Sequence, residues 1–131
     1  MTRRYGIDTS VLLRLITAQP AASSAYCIEQ LSRLIDTGAE VFASNQVIGE
    51  TYIAAQHHYR VSKANASHAL LLALSSGLVE PLNGSAILEA LAATSGPGLF
   101  DRFIADDYTR AGLEVLTLDR KMTALPDVQH L

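Results

Sequence analysis

Four carboxylates set far apart along this chain, Asp8, Glu50, Asp101 and Asp119, occupy equivalent places relative to the elements around them. Asp8 closes the apolar run Tyr5-Gly6-Ile7 and is followed by Thr9-Ser10 and a second apolar run from Val11. That order reads as strand, turn, helix, with Thr9 or Ser10 expected at the N-cap, where a side-chain oxygen accepts an orphan backbone N–H. Glu50 falls about one helical turn into a helix that follows a second strand. Asp101 opens a later helix, and Asp119 stands just beyond a later strand. Strand ends and the helix starts that follow them gather at one edge of an open α/β sheet, where ligands bind. The four acids are therefore expected to face one pocket, although Asp8 taken alone reads more readily as an ordinary turn or cap residue.

Clustered carboxylates repel, and without a counter-ion at least one is pushed towards its protonated form. A hard divalent cation removes that conflict. Mg²⁺ or Mn²⁺ prefers oxygen ligands, keeps several waters and needs only one or two direct carboxylates. The remaining acids then hold those waters from a second layer. Glu50 carries most weight here, because Val47, Ile48, Ile53 and Ala54 suggest a largely packed helix in which an unpaired charge is costly. Glu29, Asp36, Glu40, Glu89, Glu114 and Asp127 read as solvated surface, and Asp106 and Asp107 as a mainly exposed face with Asp106 near the pocket rim. His57, His58 and His68 form no comparable constellation; His57, seven positions after Glu50, shares its helix face and reads as a surface or helix-end residue.

The elements that must position these acids follow from pattern and punctuation. After the first strand, Val11 to Ile16 make a short helix that breaks near Pro20. A helix over 21–37 carries Ile28, Leu31, Leu34 and Ile35 on one face, with Gly38 at its C-cap. Glu40 to Ala43 is a strand, Ser44 and Asn45 cap a helix from Gln46 to about Tyr59, and Ser62 caps another over 63–75, closed by Gly77. Leu78-Val79-Glu80 reads as a third strand stopped by Pro81, followed by a short helix over 87–93. A helix from Asp101 to about Arg110 ends at Gly112. Glu114 to Leu118 is a strand with Val115 and Leu116 buried; a helical turn and a last strand around Val128 complete the chain. Alternating strands and helices imply an α/β fold with a central parallel sheet of four to five strands and helices on both faces.

At 131 residues the chain fits one domain, 1–131, large enough to bury a core without disulfides or metal staples. Apolar residues make up 49% and charged residues only 18%, which implies a rather apolar surface and hence a protein partner. A formal charge of −3 argues against gripping nucleic acid by bulk electrostatics. Any such binding must use a local basic cluster or a metal ion. The lone Cys27 reads as a small buried hydrophobe and fits a reducing compartment. No signal-peptide pattern and no membrane-length apolar run is seen, so the cytoplasm is expected. Gly96-Pro97-Gly98 is a turn, not a phosphate loop, because the Gly-Lys-Ser/Thr ending is missing.

The ordered set Asp8-Thr9-Ser10, Val47-Ile48-Gly49-Glu50, Asp101-Arg102-Phe103-Ile104-Ala105 and Thr117-Leu118-Asp119 resembles the PIN-domain ribonucleases. Within them it is most similar to the small VapC-type toxins of prokaryotic toxin–antitoxin pairs. The likeness covers nearly the whole chain. It implies a PIN-like, Rossmann-like parallel sheet, a Mg²⁺/Mn²⁺-dependent endoribonuclease, a cognate antitoxin that blocks the active site, and toxin homodimers. Carried over residue by residue, Asp8, Glu50, Asp101 and Asp119 are the catalytic and metal-site acids, and Ser10 and Thr117 the supporting hydroxyls. The products implied are a 5′-phosphate and a 3′-hydroxyl. One departure is Ala105-Asp106-Asp107-Tyr108, where members usually continue with small apolar residues.

In this reading Asp8, Asp101 and Asp119 are the main ligands, while Glu50 binds a second metal or orients the attacking water. Arg14, Arg102, Arg120 and Lys121 are expected near the pocket edge as contacts to flanking phosphates. Ordinary solvated helix charges explain them equally well. The alternative is a catalytically silent PIN-like module that binds RNA or protein, whose signature would be the loss of one of the four acids; none is lost. A phospho-acceptor receiver would need an acidic pair after the first strand, and an Asp-x-Asp phosphatase a second acid where Ser10 stands.

Overall fold

The computed structural model describes residues 2–131, which form two compact units, one ending at Leu91 and the other spanning Ala92–Leu131. In the first unit the order is β1 (Arg4–Gly6), α1 (Thr9–Thr17), α2 (Ala21–Asp36), β2 (Glu40–Ala43), α3 (Asn45–Tyr59), α4 (Lys63–Leu74), β3 (Glu80–Pro81) and α5 (Ser85–Ala92). The strands form a parallel sheet in the order β1-β2-β3, so β2, not β1, is the middle one. Tyr5 lies opposite Val41, and Ala43 opposite Pro81.

The period of two along a strand separates the faces of this sheet. Val41, Ala43 and Pro81 are buried on one side. α1 packs against α2, α3 and α4, contributing Leu12, while α3 and α4 contribute Ile48 and Leu70; all three side chains are fully enclosed. Arg4, Gly6 and Glu80 remain exposed on the other side, where the Arg4 guanidinium stands 4.8 Å above the Phe42 ring.

Local capping explains the helix boundaries. Ser44 accepts a hydrogen bond from the Val47 N–H at 3.2 Å, and Ser62 from that of Asn65 at 3.1 Å, so both expected caps are present. At α1 the expected cap is corrected. Asp8 itself is the N-cap, which places Thr9 and Ser10 inside the first turn. α2 ends with Thr37 at its C-cap, and Gly38 follows with φ +91°, a conformation costly for other residues.

The second unit holds α6 (Leu99–Arg110), β4 (Val115–Thr117), a 3₁₀ turn over Met122–Ala124 and β5 (Val128–His130). β4 and β5 pair in parallel with Val115 opposite Val128. Ala105, Val115, Met122 and Val128 form the core here, with Leu125 against them. Where one parallel sheet of four to five strands was expected, five strands are present as a three-stranded and a two-stranded sheet. A further correction concerns Leu116, which is 58% exposed: in a strand its neighbour Val115 takes the inward position, and the next residue must point away. α6 also starts at Leu99, two residues before Asp101, because Gly98 takes the N-cap position.

Candidate active site

Asp8 is held by the turn it creates. Its Oδ1 accepts the Ser10 backbone N–H at 2.9 Å and also the Ser10 hydroxyl. The hydroxyl is the main cause that holds the Asp8 pKa below the usual carboxylate value, with the Val11 and Ser10 N–H groups and the Arg14 charge adding to it. Position at a helix N-terminus favours the same anion. Ser10 therefore fixes the Asp8 carboxylate through both its N–H and its hydroxyl.

Glu50 is placed differently from the expectation. α3 turns Ile48, Gly49, Thr51 and Ala55 inward, which leaves Glu50 on its exposed side rather than packed. The cost of a buried charge therefore does not arise. Its carboxylate is nevertheless held at both oxygens. Thr9 Oγ1 donates to Oε2 at 2.7 Å, and Gln46 Nε2 donates to Oε1 at 3.2 Å. These bonds, Thr9 first, lower the Glu50 pKa, while the nearby negative charge of Asp8 opposes them.

Asp8 and Glu50 thus share one neighbourhood at the start of α1 and the first turns of α3. A cavity of about 340 Å³ lies against the sheet, lined by Arg4, Tyr5, Gly6, Ile7, Phe42, Ser44 and Leu82, and neither Asp8 nor Glu50 is among its lining residues. Ile7 and Ser44 are the residues just before Asp8 and just before α3.

In the second unit Asp101 is half-buried in the first turn of α6. Asp119 is exposed just after β4 and repeats the turn chemistry of Asp8, since its Oδ1 accepts the N–H of Lys121, two residues on, at 2.9 Å. Thr117 Oγ1 accepts the Asp119 N–H at 2.9 Å. Among the described residues no group of three or more His, Cys, Asp or Glu side chains is set to hold a metal ion.

The basic residues divide. Arg14 donates from Nε to Ser23 Oγ at 2.8 Å and from Nη1 to the Ser10 carbonyl at 2.9 Å, tying α1 to α2 beside Asp8. Arg102 folds back onto the loop before its own helix, with Nε donating to the Pro97 carbonyl and Nη2 to that of Ser95, each at 2.9 Å. Arg120 and Lys121 are exposed. Asp106 pairs with Arg110 at 3.1 Å. Cys27 is half-buried and free, not enclosed. His57 and His58 are exposed near the end of α3.

Thr9 and Gln46 are the site residues that sequence reasoning missed. Gln46 stands four positions before Glu50 on one helix, a spacing that places side chains side by side, so that contact was legible. Thr9 was weighed only as a cap, and nothing local links it to a residue 41 positions away.

A family profile for the PIN domain matches residues 5–128. The chain belongs to the PIN domain family. No curated protein and no solved structure matches it. PIN domains are generally nucleases, so nuclease chemistry on nucleic acid, at the level of a hydrolase, is the activity this membership supports. The donor set at the first unit of this PIN domain suits a hard divalent cation: two ionised carboxylates, hydroxyl oxygens and no thiolate or imidazole. No helix among the described residues is long and apolar enough to cross a membrane.

Proposed function

We propose that this PIN domain is a Mg²⁺- or Mn²⁺-dependent endoribonuclease that acts as the toxin of a type II toxin–antitoxin pair in the cytoplasm. The observation that carries this is the pairing of Asp8 with Glu50. Two carboxylates, both kept ionised by hydrogen bonds, lie within electrostatic reach of each other at the starts of two neighbouring helices. The Asp8 charge opposes that of Glu50, and a hard divalent cation is the ligand that such a pre-ionised pair suits.

The resemblance assigns the metal-site role to Asp8, Glu50, Asp101 and Asp119, and within the first unit Asp8 and Glu50 are the acids that would hold the ion, directly or through its waters. When bound, the cation acidifies a water and offsets charge on the scissile phosphate. The chain's own residues do the rest. Ser10 keeps the Asp8 carboxylate oriented, Thr117 braces the backbone at Asp119, and Glu50 orients the attacking water. Arg120 and Lys121, both exposed, are the proposed contacts to flanking phosphates of a single-stranded RNA segment, and Arg14, beside Asp8, is a further one.

For the antitoxin, the apolar surface of α2 and α4 is the proposed groove. Ile28 is 43% and Leu72 60% exposed there, so both are free to receive a partner's apolar side chains. A homodimer belongs to the same reading.

The deciding experiment is RNA cleavage by the purified chain with Mn²⁺, comparing native protein with Asp8→Asn. Asn caps helices as well as Asp does, so the fold is retained, while cleavage is expected to fall at least about a hundredfold. Unchanged cleavage in that variant would falsify the catalytic assignment.

A further inference from the structure

We infer that Thr9 is a positioning residue for Glu50: its hydroxyl locks one carboxylate oxygen from the neighbouring helix and so presets the ligand for the cation. This rests on the reading of Asp8 and Glu50 as metal-site acids.

Thr9 is the first residue of α1, immediately after the cap Asp8, and is half-buried. Its Oγ1 reaches Glu50 Oε2 at 2.7 Å, across 41 positions of sequence. Gln46 holds the other oxygen at 3.2 Å from Glu50's own helix. A carboxylate oxygen has two lone-pair directions, so each oxygen keeps one free for a ligand after accepting these bonds. An exposed glutamate without such partners samples several rotamers, and a cation must then order it on binding.

The two bonds are not equivalent. Gln46 and Glu50 belong to one helix, so their contact moves with α3 and says nothing about Asp8. The Thr9 bond joins α3 to α1 and therefore fixes Glu50 relative to the adjacent Asp8. It is also the shorter bond to a charged acceptor, the stronger kind. Hydroxyl or carboxylate partners of metal ligands are worth about tenfold or more in metal affinity.

The test measures Mn²⁺ binding to the intact chain by the loss of the free-ion electron paramagnetic resonance signal, without RNA. Thr9→Val, which keeps the shape and removes the donor, is expected to bind about tenfold more weakly. Thr9→Ser restores the hydroxyl and is expected to bind within about twofold of the native chain. Gln46→Leu, on the exposed surface of α3, is expected to lose less than Thr9→Val, since its bond does not tie Glu50 to α1. Thr9→Val binding as tightly as the native chain overturns the inference, as does Thr9→Ser binding as weakly as Thr9→Val. If Thr9→Val does not fold, Thr9→Ala, which removes the donor without adding bulk, is read by the same criteria, and binding as tight as that of the native chain overturns the inference. A native chain that binds no Mn²⁺ overturns the metal-site reading itself, and the inference falls with it.

Discussion

The charge of Asp8 works against ionisation of Glu50, yet Glu50 stays more acidic than an ordinary glutamate because Thr9 and Gln46 outweigh that repulsion. The site is therefore negative before any cation arrives, and its hydrogen-bond donors rather than burial keep it so.

The first prediction concerns pH. Both Asp8 and Glu50 have folded-state pKa values below their ordinary ones of 3.8 and 4.5. A depressed carboxyl pKa contributes stability that is present above the unfolded pKa and lost as pH falls through the folded one. Urea midpoints should accordingly decline on acidification through and below the ordinary carboxylate range. In Ser10→Ala the main cause of the Asp8 shift is gone, so the carbon-13 titration midpoint of Asp8 should move up towards that of an unstructured aspartate. A midpoint that stays where it is in the native chain would count against Ser10 as its support.

Arg102 separates a structural from a substrate role. Two of its guanidinium nitrogens donate to the carbonyls of Ser95 and Pro97. Arg102→Met is therefore expected to lower stability by about 1–3 kcal/mol in urea melts, through two carbonyls that lose charged donors. The salt dependence of RNA binding is expected to change little. A slope of binding against salt that drops by about one would instead mark Arg102 as a phosphate contact.

Gly96 meets the same loop. Its φ is +82°, and a Cβ there would stand 3.1 Å from Arg102 Nη2. Gly96→Ala should cost about 1–2 kcal/mol from the left-handed conformation alone. Thermal melts showing equal stability for this variant would mean that the loop has an easy alternative path.

The partner groove is tested on its exposed residues. Leu31 is only 6% exposed, so Leu31→Lys buries a charge and is expected to destabilise the fold by several kcal/mol, whatever it does to a partner. Leu72→Lys, at 60% exposure, should leave the urea midpoint nearly unchanged and weaken capture of an antitoxin peptide by about tenfold or more. Equal peptide affinity for Leu72→Lys and the native chain would remove α4 from the groove.

Much of the local structure was readable from residues alone. Ser44 and Ser62 announced their helices, Gly38 and Gly77 marked helix ends, and Glu40–Ala43 matched β2 end for end. These signals act over a few residues: a hydroxyl reaches an N–H within the next turn, and a glycine relieves strain at its own position. The acids at element ends were legible for the same reason. Asp8 taking the cap from Thr9 and Ser10 was a near miss within that short range.

Tertiary structure decided what depends on distant partners. Glu50 was expected to be packed, but four apolar or small neighbours face inward around it and its own side chain points out. Whether Leu116 or Val115 enters a core depends on which side of β4 that core lies. The division of five strands into two sheets depends on backbone pairing between segments far apart in the chain. The Thr9–Glu50 bond needs α1 to lie against α3, and only packing of their shared apolar faces brings that about. Sequence alone thus determined which side chains stand at the ends of elements, because capping and periodicity are local. Which of them touch was left to the fold, because contact across many positions requires the intervening chain to be ordered first.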